Sequence, residues 1–136
     1  MKICVIGAGY VGLVSGPCFA DLGNTVWCID KNKEKIDLLT NNQVPFFEPG
    51  LDELVNKNYS SGRLKFTTDL RLGVKNSDII FICVGTPSNK DGSCNTDNLE
   101  ILIKDLSNKI DSAQKKGVND IIIDPGFGFG KTIEHN

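Results

Sequence analysis

The sequence opens with a glycine-rich turn that could hold a phosphate group. Gly7, Gly9 and Gly12 give the pattern G-x-G-x-x-G, with Tyr10 and Val11 between the last two glycines. Glycines at this spacing allow a tight turn, leave room for a pyrophosphate, and let a helix pack closely on a strand. The amino end of that helix would offer backbone N–H groups to an anion. The five residues are therefore candidates for a dinucleotide site, and the alternative is a glycine-rich turn without a ligand.

An acidic residue follows this turn at the distance that a dinucleotide site requires. Asp30 lies 18 positions after Gly12, at the end of the next apolar run. Its carboxylate could accept hydrogen bonds from both hydroxyls of an adenosine ribose, and its charge would repel a 2′-phosphate. The pattern therefore favours NAD over NADP. Lys31, Lys33 and Lys35 lie nearby and could offset this preference, and Lys35 could equally be a solvated helix residue.

A threonine is the third candidate feature. Thr86 follows a strongly apolar run, within the segment Gly85-Thr86-Pro87. In parallel sheets of this type, ligands bind at the carboxyl ends of the strands, which makes Thr86 a candidate contact to the cofactor. The alternative is an ordinary turn that ends the strand.

The apolar runs around these residues predict alternating strands and helices. Strands are expected where short apolar runs end at glycine, proline or aspartate, and helices where apolar residues recur every three or four positions. The predicted order is strand 2–6, helix 11–22, strand 25–29, helix 33–40, helix 51–56, strand 64–67, helix 69–75, strand 79–84, a helix from 97 onward and strand 121–123. This order predicts an α/β fold of Rossmann type, a doubly wound parallel sheet that is truncated. We expect strand 121–123 to pair beside strand 79–84, and Pro17 to kink or weaken helix 11–22.

Length and composition predict one domain and argue against several partners. The chain has 136 residues, of which 40% are hydrophobic, enough for a single core. Its formal net charge of -2 gives no basic field to attract nucleic acid or an anionic membrane. The five cysteines show no C-x-x-C spacing and mostly lie in apolar stretches, which predicts reduced, buried thiols in the cytoplasm. No metal site is predicted.

Three motifs in register resemble a known family. They are 9–16 (GYVGLVSG), 48–51 (EPGL) and 84–87 (VGTP), and together they are similar to the UDP-glucose/GDP-mannose dehydrogenases over about residues 1–105. The resemblance implies that Val11, Asp30, Lys35 and Thr86 contact NAD. In the full-length family the cofactor serves the oxidation of a nucleotide sugar, as in the conversion of UDP-glucose and two NAD to UDP-glucuronate. Family members also oligomerise.

The end of the sequence departs from that pattern. The family continues into a K-S-T-V-P segment and a sugar-nucleotide domain with a catalytic cysteine and lysine, and neither is present. Residues 108–136, with the motif DPGFGFGKT at 124–132, instead resemble the dihydropteroate synthases. That resemblance implies pterin and aminobenzoate contacts for Asp124 and Phe129, although one helix and one strand cannot form the walls of a barrel site. We therefore divide the single domain 1–136 into a dehydrogenase-like part, 1–105, and a tail, 106–136.

The resulting expectation is the NAD-binding part of a nucleotide-sugar dehydrogenase, with no catalytic residue in this chain. A UDP-sugar is expected as a partner only if the missing domain is supplied. Two alternatives remain: a nucleotide-binding module without catalysis, or a chimeric fragment with a dihydropteroate synthase tail. A pterin-related activity would rest on the tail alone.

Overall fold

A computed structural model of the chain describes residues 1–85, 87, 89–93, 95–97, 100–101 and 104, together with the backbone of 120–123. Within these residues strands and helices alternate as the sequence predicts. The elements are β1 (Lys2–Ile6), α1 (Tyr10–Asp21), β2 (Thr25–Ile29), α2 (Lys33–Thr40), α3 (Leu51–Ser60), β3 (Leu64–Thr67), α4 (Leu70–Lys75), β4 (Ile79–Ile82) and β5 (Asp120–Ile123). The helix expected from residue 97 onward lies largely outside the described residues.

The five strands form one sheet in the order β3-β2-β1-β4-β5, and every neighbouring pair is parallel. The predicted pairing of the last strand is confirmed, since Ile121 is in register with Ile80 and Ile123 with Ile82. The chain runs from β1 outward to β2 and β3, then returns to the other side of β1. The carboxyl end of β1 is therefore the point where the strand order reverses, and this is where such sheets bind ligands.

Alternating residues of the central strands build a core on each face of the sheet. Ile3 and Val5 of β1 are buried in the larger cluster, which also contains apolar residues of α1, α2 and α3. Cys4 and Ile6 point to the opposite face and are buried with Val74 of α4 and with apolar residues of β4. Because both faces of β1 are buried, its apolar side chains form a continuous run rather than an alternation.

Two elements differ from the sequence prediction by more than one residue at an end. Helix α3 continues to Ser60, four residues beyond the predicted end. Strand β4 ends at Ile82 rather than at residue 84, and the next residues border a cavity. Helix α1 includes Pro17, whose side chain is almost completely buried, and the kink expected there stays a prediction.

No helix in the described part of the chain is long and apolar enough to cross a membrane. The thiols of Cys4 and Cys28 are buried, as expected, whereas Cys18 is exposed on α1. Cys94 lies outside the described residues.

Candidate functional site

The turn between β1 and α1 requires glycine at its first position. Gly7 has a φ of +103°, a conformation that residues with a Cβ rarely adopt. Its N–H donates to the Ile29 carbonyl at 2.7 Å, which fixes the turn beside the carboxyl end of β2. A Cβ at this position would lie 2.5 Å from the Cys83 carbonyl oxygen. Gly7 therefore lets the backbones after β1, β2 and β4 approach one another.

The other two glycines of the motif meet opposite surroundings. A Cβ on Gly12 would overlap the carbonyl oxygen of Gly7 and lie 3.1 Å from a methyl group of Val5. Helix α1 can therefore approach β1 this closely only without a side chain at that position. A Cβ on Gly9, by contrast, would meet no described atom within 4 Å, so open space lies beside the start of α1. The motif combines close packing below the helix with an open space at its end.

The amino end of α1 has no side-chain partner among the described residues. Gly9 is the N-cap residue, provides no side-chain cap, and no acidic residue lies in the first turn. The amino ends of α2, α3 and α4 each have a side-chain cap or a negative charge. Asn32 caps α2, Asp69 caps α4, and α3 carries Asp52 and Glu53 in its first turn. Uncapped N–H groups and the helix dipole together favour an anion at this position.

Asp30 lies next to this turn and is held by three hydrogen bonds. Its Oδ2 accepts from the backbone N–H of Ala8 at 3.0 Å and from Nζ of Lys35 at 2.7 Å. Its Oδ1 accepts from the backbone N–H of Asn32 at 2.9 Å. The bond to Ala8 joins the carboxylate directly to the glycine turn. Asp30 therefore orders the turn in addition to facing the cavity.

The environment keeps Asp30 ionised. Burial opposes this, since it favours the neutral acid, but the hydrogen bond from Lys35, the backbone N–H groups of Asn32 and Ala8, and the positive charge of Lys35 outweigh it. The pKa of Asp30 is consequently lowered from its ordinary value of 3.8. Near neutral pH the site therefore presents a carboxylate, which accepts hydrogen bonds and repels phosphate.

A cavity of about 450 Å³ opens at the carboxyl ends of β1, β2 and β4. One part of its wall is polar and contains Asp30, Lys31 and Lys35. The remainder is mostly apolar. This apolar wall includes Ile6, Ile29, Leu70, Val84 and Ile101. A volume of this size and a mixed lining suit a small molecule that combines a flat apolar group with hydroxyls and phosphates.

Four of the eight site residues predicted from the sequence line this cavity. Gly7, Gly9, Asp30 and Lys35 line it, and Gly12 supports the turn from below. Two residues of the motif lie in the first turn of α1 outside this lining: Val11, which is half-buried, and Tyr10, whose ring stacks on Phe46. Thr86 lies outside the described residues.

Four residues of the cavity wall were not among those predicted from the sequence. Thr68, Leu70, Cys83 and Ile101 all border the cavity. The available signal was positional, because Thr68 and Cys83 directly follow the carboxyl ends of β3 and β4, where such sheets bind ligands. Leu70 and Ile101 carry no comparable signal in sequence, since isolated apolar residues occur on most surfaces.

Known proteins resemble this chain over most of its length. The sequence model of the UDP-glucose/GDP-mannose dehydrogenase family, NAD binding domain, matches residues 1–124. UDP-glucose 6-dehydrogenase of Rhizobium meliloti (strain 1021) is 61% identical over 90 residues, covering 66% of this chain and 21% of that protein. UDP-glucose 6-dehydrogenase TuaD of Bacillus subtilis (strain 168) is 44% identical over 127 residues, covering 93% of this chain and 27% of that protein.

Solved structures give the same result. The ternary complex of GDP-mannose dehydrogenase from Pseudomonas aeruginosa has a TM-score of 0.73 and 41% identity, covering 75% of this chain and 23% of that one. The UDP-D-ManNAc dehydrogenase from Pyrococcus horikoshii has a TM-score of 0.76 and 29% identity, covering 92% of this chain and 28% of that one. Our chain thus spans about a quarter of the length of these relatives.

The family match also corrects the extent assigned from the sequence. It continues to residue 124, well beyond residue 105, and so includes strand β5. The resemblance of residues 108–136 to dihydropteroate synthases is unsupported by these comparisons. Asp124 and Phe129, the residues implied by that resemblance, lie outside the described residues. From residue 1 to residue 124 the chain belongs to the UDP-glucose/GDP-mannose dehydrogenase family, as its NAD-binding domain.

Proposed function

We propose that the chain binds NAD in the cavity at the carboxyl ends of β1, β2 and β4, as the cofactor-binding part of a UDP-glucose 6-dehydrogenase-like oxidoreductase. The observation that carries the proposal is the hydrogen bond between Asp30 and the N–H of Ala8, 3.0 Å long. It joins a ribose-binding carboxylate to an uncapped glycine turn within one cavity. This combination matches the two polar parts of a dinucleotide, its pyrophosphate and its adenosine ribose.

The pyrophosphate would lie at the amino end of α1. Gly9 leaves the space there, and the N–H groups of Tyr10 and Val11 begin the helix without a competing side-chain cap. A helix start with these properties stabilises a negative charge. Gly7 and Gly12 would contribute by holding the turn rather than by direct contact.

The adenosine ribose would bind at Asp30, and this requires Lys35 to move. A carboxylate offers about four acceptor positions, and three are taken by Ala8, Asn32 and Lys35. Two ribose hydroxyls therefore fit only if the Lys35 ammonium leaves Oδ2. Lys35 has side-chain exposure of 27%, so it has room to turn toward the ribose. The negative charge of Asp30 favours NAD over NADP in this arrangement.

The reaction itself requires more than this chain. The relatives are dehydrogenases, and in such enzymes NAD supplies the chemistry by accepting hydride. For the whole protein we propose oxidation of UDP-glucose to UDP-glucuronate with two NAD, with the sugar nucleotide bound by a further domain and with oligomerisation as in the family. We assign no catalytic residue to the present chain. Its own residues hold the cofactor and orient it.

We also propose that the protein functions in the cytoplasm. Burial raises the pKa of the Cys4 thiol to about 12 and raises that of Cys28 as well. Such thiols stay protonated and unreactive, which fits a compartment without disulfide bonds. Detection of the protein in separated cytoplasmic and exported fractions of the cell would test this assignment.

Calorimetric titration of the purified chain with NAD tests the central proposal. We expect saturable binding to the parent, weaker binding of NADP, and strongly reduced binding to Asp30→Ala. Because Asp30→Ala also removes the bond to Ala8, Asp30→Asn serves as its matched control: its amide oxygen can still accept that bond. A folded parent chain that binds no NAD would refute the proposal and favour a module of another function. With UDP-glucose added, we expect no formation of NADH by the isolated chain.

A further inference from the structure

An aromatic pair connects the start of α1 to the loop between α2 and α3. The rings of Tyr10 and Phe46 stack with centroids 4.2 Å apart and an angle of 27° between their planes. Tyr10 is the first residue of α1, and the residue is 60% exposed. The contact therefore covers one face of a ring that is otherwise largely in solvent.

Phe46 is the fixed member of the pair. It is half-buried and packs against the larger core cluster, as does Val44 two residues earlier. The next residue, Phe47, has the same side chain but is 81% exposed. Of these two adjacent phenylalanines, only Phe46 both reaches the core and contacts the ring of Tyr10. It can thus hold Tyr10 in place relative to the body of the domain.

The glycine turn needs such external support. Gly7 and Gly9 have the largest backbone freedom of any residue type, so ordering them costs entropy. On the side of β2 the turn is held by the bond from Ala8 to Asp30. At the start of the helix no side-chain cap holds it. The stack of Tyr10 on Phe46 provides a second contact, from the loop between α2 and α3.

We propose that Phe46 is a positioning residue for the pyrophosphate part of the cofactor site, acting through the ring of Tyr10. This inference rests on the proposed function. By fixing Tyr10, Phe46 orients the first N–H groups of α1 before the ligand arrives, which lowers the entropic cost of binding. It contributes nothing to the adenosine part of the site, which is formed by Asp30 and the apolar wall.

The test uses variants that retain core packing. Phe46→Leu removes the aromatic face but keeps an apolar side chain, Phe46→Tyr restores the ring, and Phe47→Leu makes the same change at the exposed neighbour. Each variant of the 136-residue chain is titrated with NAD, with ADP, which carries the pyrophosphate, and with adenosine, which lacks it. Urea denaturation of each variant reports its free energy of unfolding.

We expect Phe46→Leu to weaken NAD and ADP binding by about twofold to tenfold, the range that an aromatic pair can supply. Adenosine binding should stay unchanged, Phe46→Tyr should recover the parent affinity, and Phe47→Leu should have no effect. Equal weakening of all three ligands would overturn the inference, because it would reflect a general loss of structure. Unchanged NAD and ADP affinity in Phe46→Leu would overturn it as well. A parent chain that binds no NAD would instead refute the proposed function on which the inference depends.

Discussion

The two ends of helix α1 differ in how their backbone groups are hydrogen-bonded. At the carboxyl end, backbone and side-chain donors satisfy the last carbonyl groups. The carbonyl of Ala20 accepts from Gly23 at 3.0 Å and from the Arg63 side chain at 3.1 Å, and Phe19 accepts from the side chain of Asn24 at 2.9 Å. At the amino end, Gly9 offers no side-chain cap.

The carboxyl end is also tied to α3 by a polar network around one buried amide. Asn58 is completely buried; its amide nitrogen donates to Asp21 at 3.2 Å, and its oxygen accepts two bonds from Arg63 at 3.1 Å. Lys57 pairs with Asp21 at 2.6 Å. The hydrogen bond from Lys57, followed by that from Asn58, lowers the pKa of Asp21, so its carboxylate stays charged in this network.

This contrast separates stability from binding along one helix. Polar groups that the protein satisfies internally hold the fold together, because leaving them unpaired would carry a desolvation cost. Polar groups that the protein leaves unsatisfied at a concave, open site remain free to bind a ligand. Variants at the carboxyl end of α1 should therefore change the stability of the domain, and variants at Gly9 should change its affinity for NAD.

The largest effect is expected from the two glycines at the amino end. Gly12→Ala places a methyl group against the carbonyl oxygen of Gly7, so we expect a loss of about 3 kcal/mol or more in the free energy of unfolding. Gly9→Ala meets open space and should cost less than about 1 kcal/mol, the ordinary cost of alanine at an N-cap. It should nevertheless weaken NAD binding by more than about tenfold, because the methyl group occupies the pyrophosphate space. Urea denaturation and calorimetry measure the two quantities. Equal effects of both variants on stability would remove the distinction between the glycines.

At the carboxyl end, Asn58→Ala should lower the free energy of unfolding by about 1–3 kcal/mol, because Arg63 and Asp21 lose a buried partner. Affinity for NAD should stay within about twofold of the parent value. Asn56→Ala is the matched control, since the side-chain oxygen of Asn56 is buried without a partner among the described residues and its removal breaks no bond. Denaturation curves of both variants check the prediction. A loss of NAD affinity in Asn58→Ala would show that the two ends of α1 are coupled.

A smaller and pH-dependent effect is expected at Asp30, which faces the amino end. Its folded-state pKa is lowered from 3.8, so its ionised form stabilises the fold above that value, and the contribution is lost as the pH falls through the folded pKa. Asp30→Asn keeps an acceptor for Ala8 but loses the ion pair with Lys35. The stability difference between parent and variant should therefore be present at about pH 6 and should shrink below 3.8. Denaturation at several pH values measures it. A difference that grows in acid would contradict the lowered pKa.

Much of the fold could be predicted because the residues that end its strands and helices are visible locally in the sequence. Strands β2 and β3 and helix α2 have their predicted ends, and each of these apolar or periodic runs is bounded by turn residues. Helix α3 continues past its predicted end through Asn58 and Ser60, although both are poor helix formers. In the folded chain Asn58 is bound to Asp21 and Arg63, and these tertiary contacts outweigh its propensity. Pro17 likewise lies inside a helix despite its low helix propensity, and its side chain is almost completely buried.

The site was predictable in type but not in geometry. The glycine spacing and the position of Asp30 identified the turn and the carboxylate, because those residue types at those positions serve one kind of ligand. The pairing of Lys35 with Asp30, the bond to Ala8 and the stack of Phe46 on Tyr10 depend on side-chain directions that spacing does not specify. Such contacts form only once distant elements have packed.

The smallest effect is expected from the ion pair at the surface of the carboxyl end. Lys57 is 62% exposed and Asp21 is 35% exposed, so water and salt screen their attraction. Lys57→Gln should lower the free energy of unfolding by clearly less than Asn58→Ala does. The difference in stability between the parent and Lys57→Gln should vanish in high salt. Denaturation in low and high concentrations of sodium chloride provides the measurement, with Lys33→Gln, which breaks the exposed pair with Asp37, as the control. A loss as large as that of Asn58→Ala at low salt that disappears at high salt would mean that charge at the surface, rather than the buried amide, holds this end of α1.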